Sequence, residues 1–301
     1  MNISFNPNTY ESLTGIPFPT SGNIVIPNTI TDKDGNIYTV TEIEDCAFSS
    51  DKYSDITEVF ISDGIMRIGV KAFYRKENLI KVTLPDSAQI IDDLAFFFCE
   101  SLKEINMPNS IIKIGDAVFN NCISLEYINI PYGTPSIGIL IFAGSGLKEI
   151  EIPDSVYIIQ ECAFSGCDNL SKIKLSNNLL YISSCAFKHC TSLEEIIIPA
   201  SVNCIGDKAF PECTNLRSLI FENKSKLKAI GELAFCNCES LEFIIIDTIF
   251  IIHSKAFMNC INLKSIKYHD KELTTYKDIR EKFGTLLRKG IFINTPFTNN
   301  C

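Results

Sequence analysis

The sequence predicts a parallel solenoid of ten coils, each 22–25 residues long, and three repeated features support this fold class. A phenylalanine recurs ten times at steps of 22–25 residues, an isoleucine stands five residues before each copy, and the spacing LxxLxL follows most copies. A period in the low twenties over this many copies is typical of a solenoid. The phenylalanines are Phe48, Phe73, Phe96, Phe119, Phe142, Phe164, Phe187, Phe210, Phe235 and Phe257. The isoleucines are Ile43, Ile68, Ile91, Ile114, Ile137, Ile159, Ile182, Ile205, Ile230 and Ile252.

The LxxLxL spacing predicts a short strand in each coil. In Leu193, Ile196 and Ile198, for example, the last two side chains are two residues apart and so point to one face. One such strand cannot bury its inward face, but coils stacked at about 4.8 Å cover one another. We therefore expect a parallel strand ladder over a core of stacked leucine, isoleucine and phenylalanine. The terminal copies Phe48 and Phe257 should contribute less stability, because each has a repeat neighbour on one side only.

Both ends of the chain depart from the repeat, which predicts three segments. Residues 1–42 form an N-terminal cap with a β-hairpin, because two β-rich runs flank Asp34-Gly35. Residues 43–269 form the solenoid. Residues 270–301 form a C-terminal helical cap and a tail whose Asn-rich end should fray. The helix is predicted from apolar residues at helical spacing, namely Tyr276, Ile279, Phe283, Leu286 and Leu287.

Composition and motifs restrict the function. With a net charge of −9, the chain lacks the basic surface that nucleic-acid binding requires. No apolar run approaches the ~18 residues that cross a bilayer, so we expect no membrane insertion. The first residues, MNISFNPNTYESLTG, lack the basic and apolar regions of a secretory signal. The sequence contains no phosphate loop, nucleophile elbow or paired catalytic carboxylates, so it predicts no catalytic residue, no cofactor and no enzyme.

The cysteines follow the repeat. Of thirteen, seven lie three residues after a repeat phenylalanine (the Phe-plus-three row) and three lie two residues before one (the Phe-minus-two position). We interpret the Phe-plus-three row as small, buried, reduced thiols that pack inside each turn. The alternatives are disulfides between adjacent coils, and a metal site, which is weaker because no CxxC pair meets a second pair or a histidine. Cys236 and Cys301 are predicted to be exposed. The Phe-plus-three row is Cys99, Cys122, Cys167, Cys190, Cys213, Cys238 and Cys260, and the other three cysteines are Cys46, Cys162 and Cys185.

One outward residue per coil should align on the strand face. Three successive isoleucines in this column, Ile197, Ile220 and Ile245, are unfavourable on a soluble surface unless a partner covers them. Phe243 lies beside the third, and Glu195 and Arg217 provide charge at the border. The competing interpretation is that isoleucine is simply a good strand former. The whole column is Phe60, Thr83, Asn106, Asn129, Glu151, Lys174, Ile197, Ile220, Ile245 and Lys267, and acidic residues upstream on the same face are Glu126, Glu149, Glu151, Glu194 and Glu195.

The repeat also resembles a known family. The phrase IPDSVYIIQECAFSGCDNLSKIKL at 152–175, with LEEIIIPASVNCIGDKAFPECTNL and LKEINMPNSIIKIGDAVFNNCISL, resembles the treponemal-type leucine-rich repeats of the BspA-like family. The resemblance covers about 24–269. It implies a leucine-rich repeat solenoid without catalytic residues, acting as a surface protein that binds host proteins or other cells.

These observations together predict a non-enzymatic protein-binding repeat module. We expect it to bind a partner protein, such as a host surface or matrix protein, through Ile197, Ile220, Phe243, Ile245, Glu195 and Arg217. A second copy of the chain is another candidate partner. The alternatives are a structural or self-associating coat element and an intracellular interaction scaffold. The resemblance implies a cell-surface or secreted location.

Overall fold

In the computed structural model, the LxxLxL segments form short parallel strands that pair coil to coil. The structure describes residues 1–248, 250–287 and 290–297. Ile196 pairs with Leu219 and Leu219 with Ile244, and all three side chains are buried. These strands, together called the LxxLxL ladder, lie in three sheets. The first contains Ser21–Ile26, Asp55–Ile61, Lys81–Thr83 and Glu104–Ile105, the second contains Glu149–Glu151 and Lys172–Lys174, and the third contains Glu195–Ile198, Ser218–Phe221, Phe243–Ile246 and Ser265–Tyr268. The predicted fold class, a solenoid of about ten turns, is confirmed.

A second set of parallel strands contains the repeat isoleucines. Ile159 pairs with Ile182 and Ile182 with Ile205, so the isoleucines form buried rows in register. Most of these strands are only two residues long, because a turn around the phenylalanine follows at once. The strands of this isoleucine ladder lie in two sheets. The first contains Asn2–Phe5, Ile37–Ile43, Arg67–Ile68, Ile90–Ile91 and Lys113–Ile114, and the second contains Ser136–Ile137, Ile158–Ile159, Tyr181–Ile182, Cys204–Ile205, Ala229–Ile230 and Ile251–Ile252.

The chain forms two compact units, residues 1–134 with 140–147, and residues 135–139 with 148–301. Each unit contains five repeat phenylalanines, whose rings stack nearly parallel. In the first unit, successive ring centroids are 5.0–5.8 Å apart. In the second unit they are 4.8–5.4 Å apart. At most 1% of each of these residues is exposed, so the phenylalanine stack is the centre of each core.

The turn that carries each phenylalanine has an unusual backbone. The residue two positions before it has a positive φ of 51–59° in all ten coils, although none of these residues is glycine. A left-handed conformation costs roughly 1–2 kcal/mol at such a residue. Hydrogen bonds to the next coil offset this cost. The Phe187 N–H, for example, donates to the Ala209 carbonyl at 2.7 Å, and the same bond recurs in other coils.

The N-terminal segment joins both ladders. Ser21–Ile26 begins the LxxLxL ladder by pairing with Asp55–Ile61, and Asn2–Phe5 pairs with Ile37–Ile43 in the isoleucine ladder. Thr29–Thr31 lies antiparallel to Ile37–Ile43, across a turn in which Gly35 has a φ of 87°. A helix, Pro7–Thr14, capped by Asn6, lies between the first two strands in sequence. Phe5 stacks on Phe48 at 6.1 Å and covers the outer face of that ring, which no repeat phenylalanine covers.

The C-terminal segment adds a further partial coil after its helix. The helix Tyr276–Phe283 begins with a capping box of Thr275 and Asp278, and is followed by the 3-10 helix Gly284–Leu286. Leu287 then forms a parallel bridge with Ile252, and Phe292 stacks on Phe257 at 5.7 Å. Leu287 and Phe292 therefore repeat the five-residue spacing of the coils.

Two predictions for this segment are wrong. The helix ends at Phe283 rather than continuing through Leu287, because Gly284 takes a positive φ and Leu287 joins the isoleucine ladder. Phe297 is buried rather than part of a frayed tail. Residues 298–301, with Cys301, lie outside the described residues. An antiparallel strand, Lys271–Leu273, follows the last LxxLxL strand, and a 3-10 helix lies at Asp51–Tyr53.

A charged network ties coils together at the surface of the first unit. Arg67 lies 2.6 Å from both Asp45 and Asp92 and 3.3 Å from Glu42. Lys113 lies 2.7 Å from the other oxygen of Asp92. Burial by itself raises the pKa of Asp92, but hydrogen bonds from Lys113 and Arg67 outweigh burial and hold that pKa below its ordinary value. The network thus stabilises stacking while Asp92 is ionised.

Because the pKa of Asp92 is lowered on folding, its contribution should be present above about pH 4 and be lost as the pH falls further. We expect Asp92→Asn to lower the free energy of unfolding at pH 7 by about 1–3 kcal/mol. The deficit should shrink towards pH 2. Urea midpoints at several pH values measure this, with the exposed Asp86→Asn as the control. An unchanged deficit at pH 2 would contradict a role for ionised Asp92.

The phenylalanine stack gives a second prediction. Phe187→Ala should reduce the free energy of unfolding by about 3–5 kcal/mol, as loss of a buried phenylalanine does. Phe48→Ala and Phe257→Ala should cost as much, because Phe5 and Phe292 cover the outer faces of these rings. This revises the sequence-based expectation of a smaller cost at the ends. Urea unfolding tests it, and losses below about 1 kcal/mol at both ends would show that the terminal rings do not extend the stack.

Candidate protein-binding face

The structure places the three isoleucines side by side on one sheet. Ile197 pairs with Ile220 and Ile220 with Ile245, in the strands of coils seven to nine. The buried residues on either side of each isoleucine, such as Ile196 and Ile198, point to the core. Alternation along the strand therefore turns the isoleucines outward. We call Ile197, Ile220, Ile245 and Phe243 the apolar patch.

The patch is less exposed than its outward direction alone implies. Ile197, in the first strand of the five-stranded sheet, is 45% exposed. Ile220 and Ile245 are half-buried, because each has a neighbour in register on both sides. Phe243 is also half-buried and lies two residues before Ile245 on the same face. The patch is a continuous, partly covered apolar surface.

Charged side chains of both signs border the patch. Glu195 and Arg217 are exposed, as the sequence suggested. The Lys264 and Lys267 ammonium groups lie 5.7 Å and 5.3 Å from the Phe243 ring centroid, within the range of cation–π attraction. Lys264 also pairs with Glu242. The rim, meaning the charged residues around the apolar patch, thus contacts the patch through the Phe243 ring.

The acidic residues upstream are partly neutralised. Glu149 pairs in register with Lys172, and Glu151 with Lys174. The Lys174 Nζ atom lies 2.5 Å from the Glu151 carboxylate. This part of the strand face therefore carries alternating charge and is not a single acidic surface.

The Phe-plus-three cysteines are structural. The Cys190 thiol donates a hydrogen bond to the Phe164 carbonyl of the preceding coil, with 3.2 Å between sulfur and oxygen. Five other members of the row make the same bond at 3.2–3.3 Å. Burial raises the pKa of Cys99 to about 12 and the pKa of Cys190 well above its ordinary value. These thiols are protonated and enclosed, so they lack the thiolate that cysteine chemistry needs.

One residue beside this row differs from the sequence-based expectation, and one member of the Phe-plus-three position is a buried lysine. Cys236, predicted to point outward, is only 7% exposed. The same turn position in adjacent coils holds Pro211 and Met258, which are larger than the thiol between them. Lys76 occupies a Phe-plus-three position, is 1% exposed and donates to the Ser50 carbonyl at 3.0 Å. Burial lowers the pKa of Lys76.

Sequence reasoning also missed an aromatic cluster on the turns of coils two and three. The Tyr74 and Phe97 rings stack at 5.3 Å, and Phe97 and Phe98 lie at 4.7 Å. The Arg75 guanidinium lies 6.0 Å from the Phe98 ring. These rings are half-buried. The run AFFFC was the available signal, because only its first phenylalanine occupies the core position of the repeat.

Within residues 1–248, 250–287 and 290–297, no three or more His, Cys, Asp and Glu side chains are placed to hold a metal ion. Over the same part of the chain, no helix is long and apolar enough to cross a membrane.

The geometry defines a leucine-rich repeat solenoid, and comparison with known proteins gives its family. A family model for the BspA type leucine rich repeat region matches residues 23–147 and 135–264, with six copies. The chain belongs to this family. Proteins of this kind are repeat scaffolds that generally mediate protein–protein interaction and are typically not enzymes. No curated protein matches the sequence.

Three solved structures are similar to this chain, and the two with TM-scores of 0.50 or more show the same fold. A leucine-rich repeat protein from Bacteroides ovatus is 24% identical with a TM-score of 0.53, and the match covers 90% of this chain and 94% of that one. The leucine rich repeat protein of T. pallidum is 26% identical with a TM-score of 0.50, over 66% of this chain and 79% of that one. A leucine rich cell surface protein from Faecalibacterium prausnitzii is 25% identical with a TM-score of 0.45, over 86% and 89%.

The structural role of the cysteines predicts their reactivity. In the folded, reduced protein, the Phe-plus-three thiols should react with a thiol reagent only at the rate of unfolding, because they are fully buried. After unfolding without reductant, nearly all thirteen cysteines should titrate as free thiols. Cys190→Ala should cost about 1 kcal/mol and leave the circular dichroism spectrum unchanged, since the Phe164 carbonyl also accepts the Cys167 N–H. Fast reaction of this row in the native state would contradict the assignment.

Proposed function

We propose that the protein is a non-enzymatic binding module that holds a partner protein on the strand face of coils seven to nine. The observation that carries the proposal is the register of Ile197, Ile220 and Ile245, which merges three outward isoleucines into one surface. Membership in the family supports binding as the activity. We further propose that the partner is a host surface or matrix protein and that the protein acts at the cell surface or after secretion.

The composition of the face supports this role. Apolar and aromatic residues at the centre with charge at the rim are typical of protein interfaces. The strands are paired on both sides in coils eight and nine, so the surface is formed before the partner arrives. A preformed surface avoids much of the cost of ordering loops on binding. Apolar contact can then contribute at about 25 cal/mol per Å² of buried area.

A second copy of the chain is the other candidate partner. The rim carries Glu195 on one side and Arg217 and Lys267 elsewhere, all of them exposed. In a two-fold symmetric contact, the same patch faces itself, so opposite charges on its rim can pair. Self-association through this face would make the protein a coat or scaffold element.

We expect Ile220→Lys to reduce partner binding at least tenfold, because a charge in the centre of an apolar contact costs more than 1.4 kcal/mol. Stability should change by less than about 1 kcal/mol, since the ammonium group can reach water from the outer face. Ile112→Lys is the matched control, because Ile112 is 59% exposed and lies outside the strand face. The measurement is quantitative capture from a host-cell surface and matrix extract, followed by titration of the captured protein.

The outcome separates the candidates. A captured protein that is kept by wild type and Ile112→Lys and lost by Ile220→Lys supports heterologous binding. Concentration-dependent dimers in sedimentation that disappear with Ile220→Lys support self-association. If Ile220→Lys changes neither capture nor sedimentation, the isoleucines only favour strand formation.

A further inference from the structure

Two cysteines stand apart from the buried row. Cys162 and Cys185 both lie at the Phe-minus-two position, in the adjacent coils six and seven, and both are half-buried rather than enclosed. The same position in the following coils of this unit holds Lys208, Leu233 and Lys255. Among the described residues of the unit, these are the only cysteines at that position.

The backbone holds the two thiols together. Both residues have left-handed backbones, with φ of 53° and 56°, so their side chains leave the turn in the same direction. The Cys162 N–H donates to the Ser184 carbonyl at 3.1 Å, and this bond joins the turn of coil six to the turn of coil seven. Equivalent positions of stacked coils lie about 5 Å apart, within the Cα separation that a disulfide spans. Ile159 and Ile182, three residues before the two cysteines, pair in register, so the two thiols occupy equivalent places on adjacent coils.

The raised pKa of Cys162 makes its thiol–disulfide exchange dependent on pH. Partial burial, followed by the proximity of Cys185 and Glu161, raises the pKa of Cys162, and Lys188 acts in the opposite direction. The thiolate fraction therefore increases as the pH rises, and exchange should be faster at pH 8.5 than at pH 7. The pair thus differs from the Phe-plus-three row in both access and orientation.

We propose that Cys162 and Cys185 form a redox modification site. A small-molecule disulfide such as oxidised glutathione oxidises the two thiols to one intramolecular disulfide. One cysteine thiolate attacks a sulfur of the oxidant, whose S–S bond breaks and releases one glutathione thiolate. The second cysteine thiolate attacks the protein sulfur of the mixed disulfide and releases the second glutathione thiolate. The two cysteines lose two electrons, the oxidant gains them, and the two thiol protons pass to the departing glutathiones through solvent.

The disulfide would clamp coil six to coil seven on the turn side. Coil seven also carries Glu195–Ile198, the first strand of the candidate binding face. Cross-linking these residues restricts the unfolded chain, so the oxidised form should unfold at a higher urea concentration than the reduced form. An oxidising environment would thereby strengthen the solenoid beside that strand.

The test uses the folded, fully reduced chain with oxidised glutathione at pH 8.5. After alkylation and unfolding, peptide mapping should link Cys162 to Cys185, which removes two of the thirteen thiols in addition to any that carry a glutathione adduct. In Cys162→Ser, Cys185 should retain a glutathione adduct, because no neighbour resolves it. Cys46 is the internal control. It is exposed at the same repeat position, but Lys71 stands there in the next coil, so Cys46 should form only the mixed disulfide.

Two results would overturn the proposal. Separate glutathione adducts on Cys162 and Cys185, without a link, would show that the two sulfurs cannot meet. Absence of reaction at both residues while Cys46 reacts would show that they are inaccessible. A linked product whose urea midpoint equals that of the reduced protein would refute the clamp between the coils.

Discussion

Stacking of one coil on the next is the constraint on which this structure depends. A coil of about two dozen residues has no interior of its own, so every inward side chain is buried by the neighbouring coil. The phenylalanine stack shows this most directly, because the Phe210 ring lies flat between the Phe187 and Phe235 rings, at 4.8 and 5.0 Å. The requirement extends to the ends of the repeat, where Phe5 and Phe292 provide the missing rings. Closing the stack explains why non-repeat segments at both ends return to the coil geometry.

The same constraint explains the cysteines. The position below each phenylalanine needs a side chain small enough to be enclosed and able to donate to the carbonyl of the preceding coil, and a thiol meets both needs. Lys76 occupies this position in coil two. Its longer side chain donates to the Ser50 carbonyl rather than to a phenylalanine carbonyl. Lys76 is buried although its ammonium donates only to a backbone carbonyl at 3.0 Å among the described residues, which indicates that filling the position matters more than the chemistry of the group.

The repeat made most of the fold predictable. The ten phenylalanines and isoleucines predicted the core, and the LxxLxL spacing predicted the outward direction of Ile197. Period two cannot predict how far a neighbour covers an outward side chain, which is why the half-burial of Ile220 and Ile245 required the structure. The partial coil that contains Leu287 and Phe292 was hidden because the inserted helix lengthens the step from Phe257 to Phe292 beyond the repeat period. Cys236 was placed wrongly because its exposure depends on the size of its neighbours in other coils.

The lengths of the strands help to separate binding from strand propensity on the outer face. The strands that carry Ile197, Ile220 and Ile245 are four residues long, whereas Lys172–Lys174 and Glu149–Glu151 have three. If the isoleucines were present only because they favour strand formation, the strands that contain them should be longer than strands without an outward isoleucine. Ser265–Tyr268 is also four residues long, however, and its outward residue is Lys267. A regular four-residue strand at this position therefore does not require an outward isoleucine, so strand propensity alone does not account for the three apolar side chains, and their grouping supports the proposed contact with a partner.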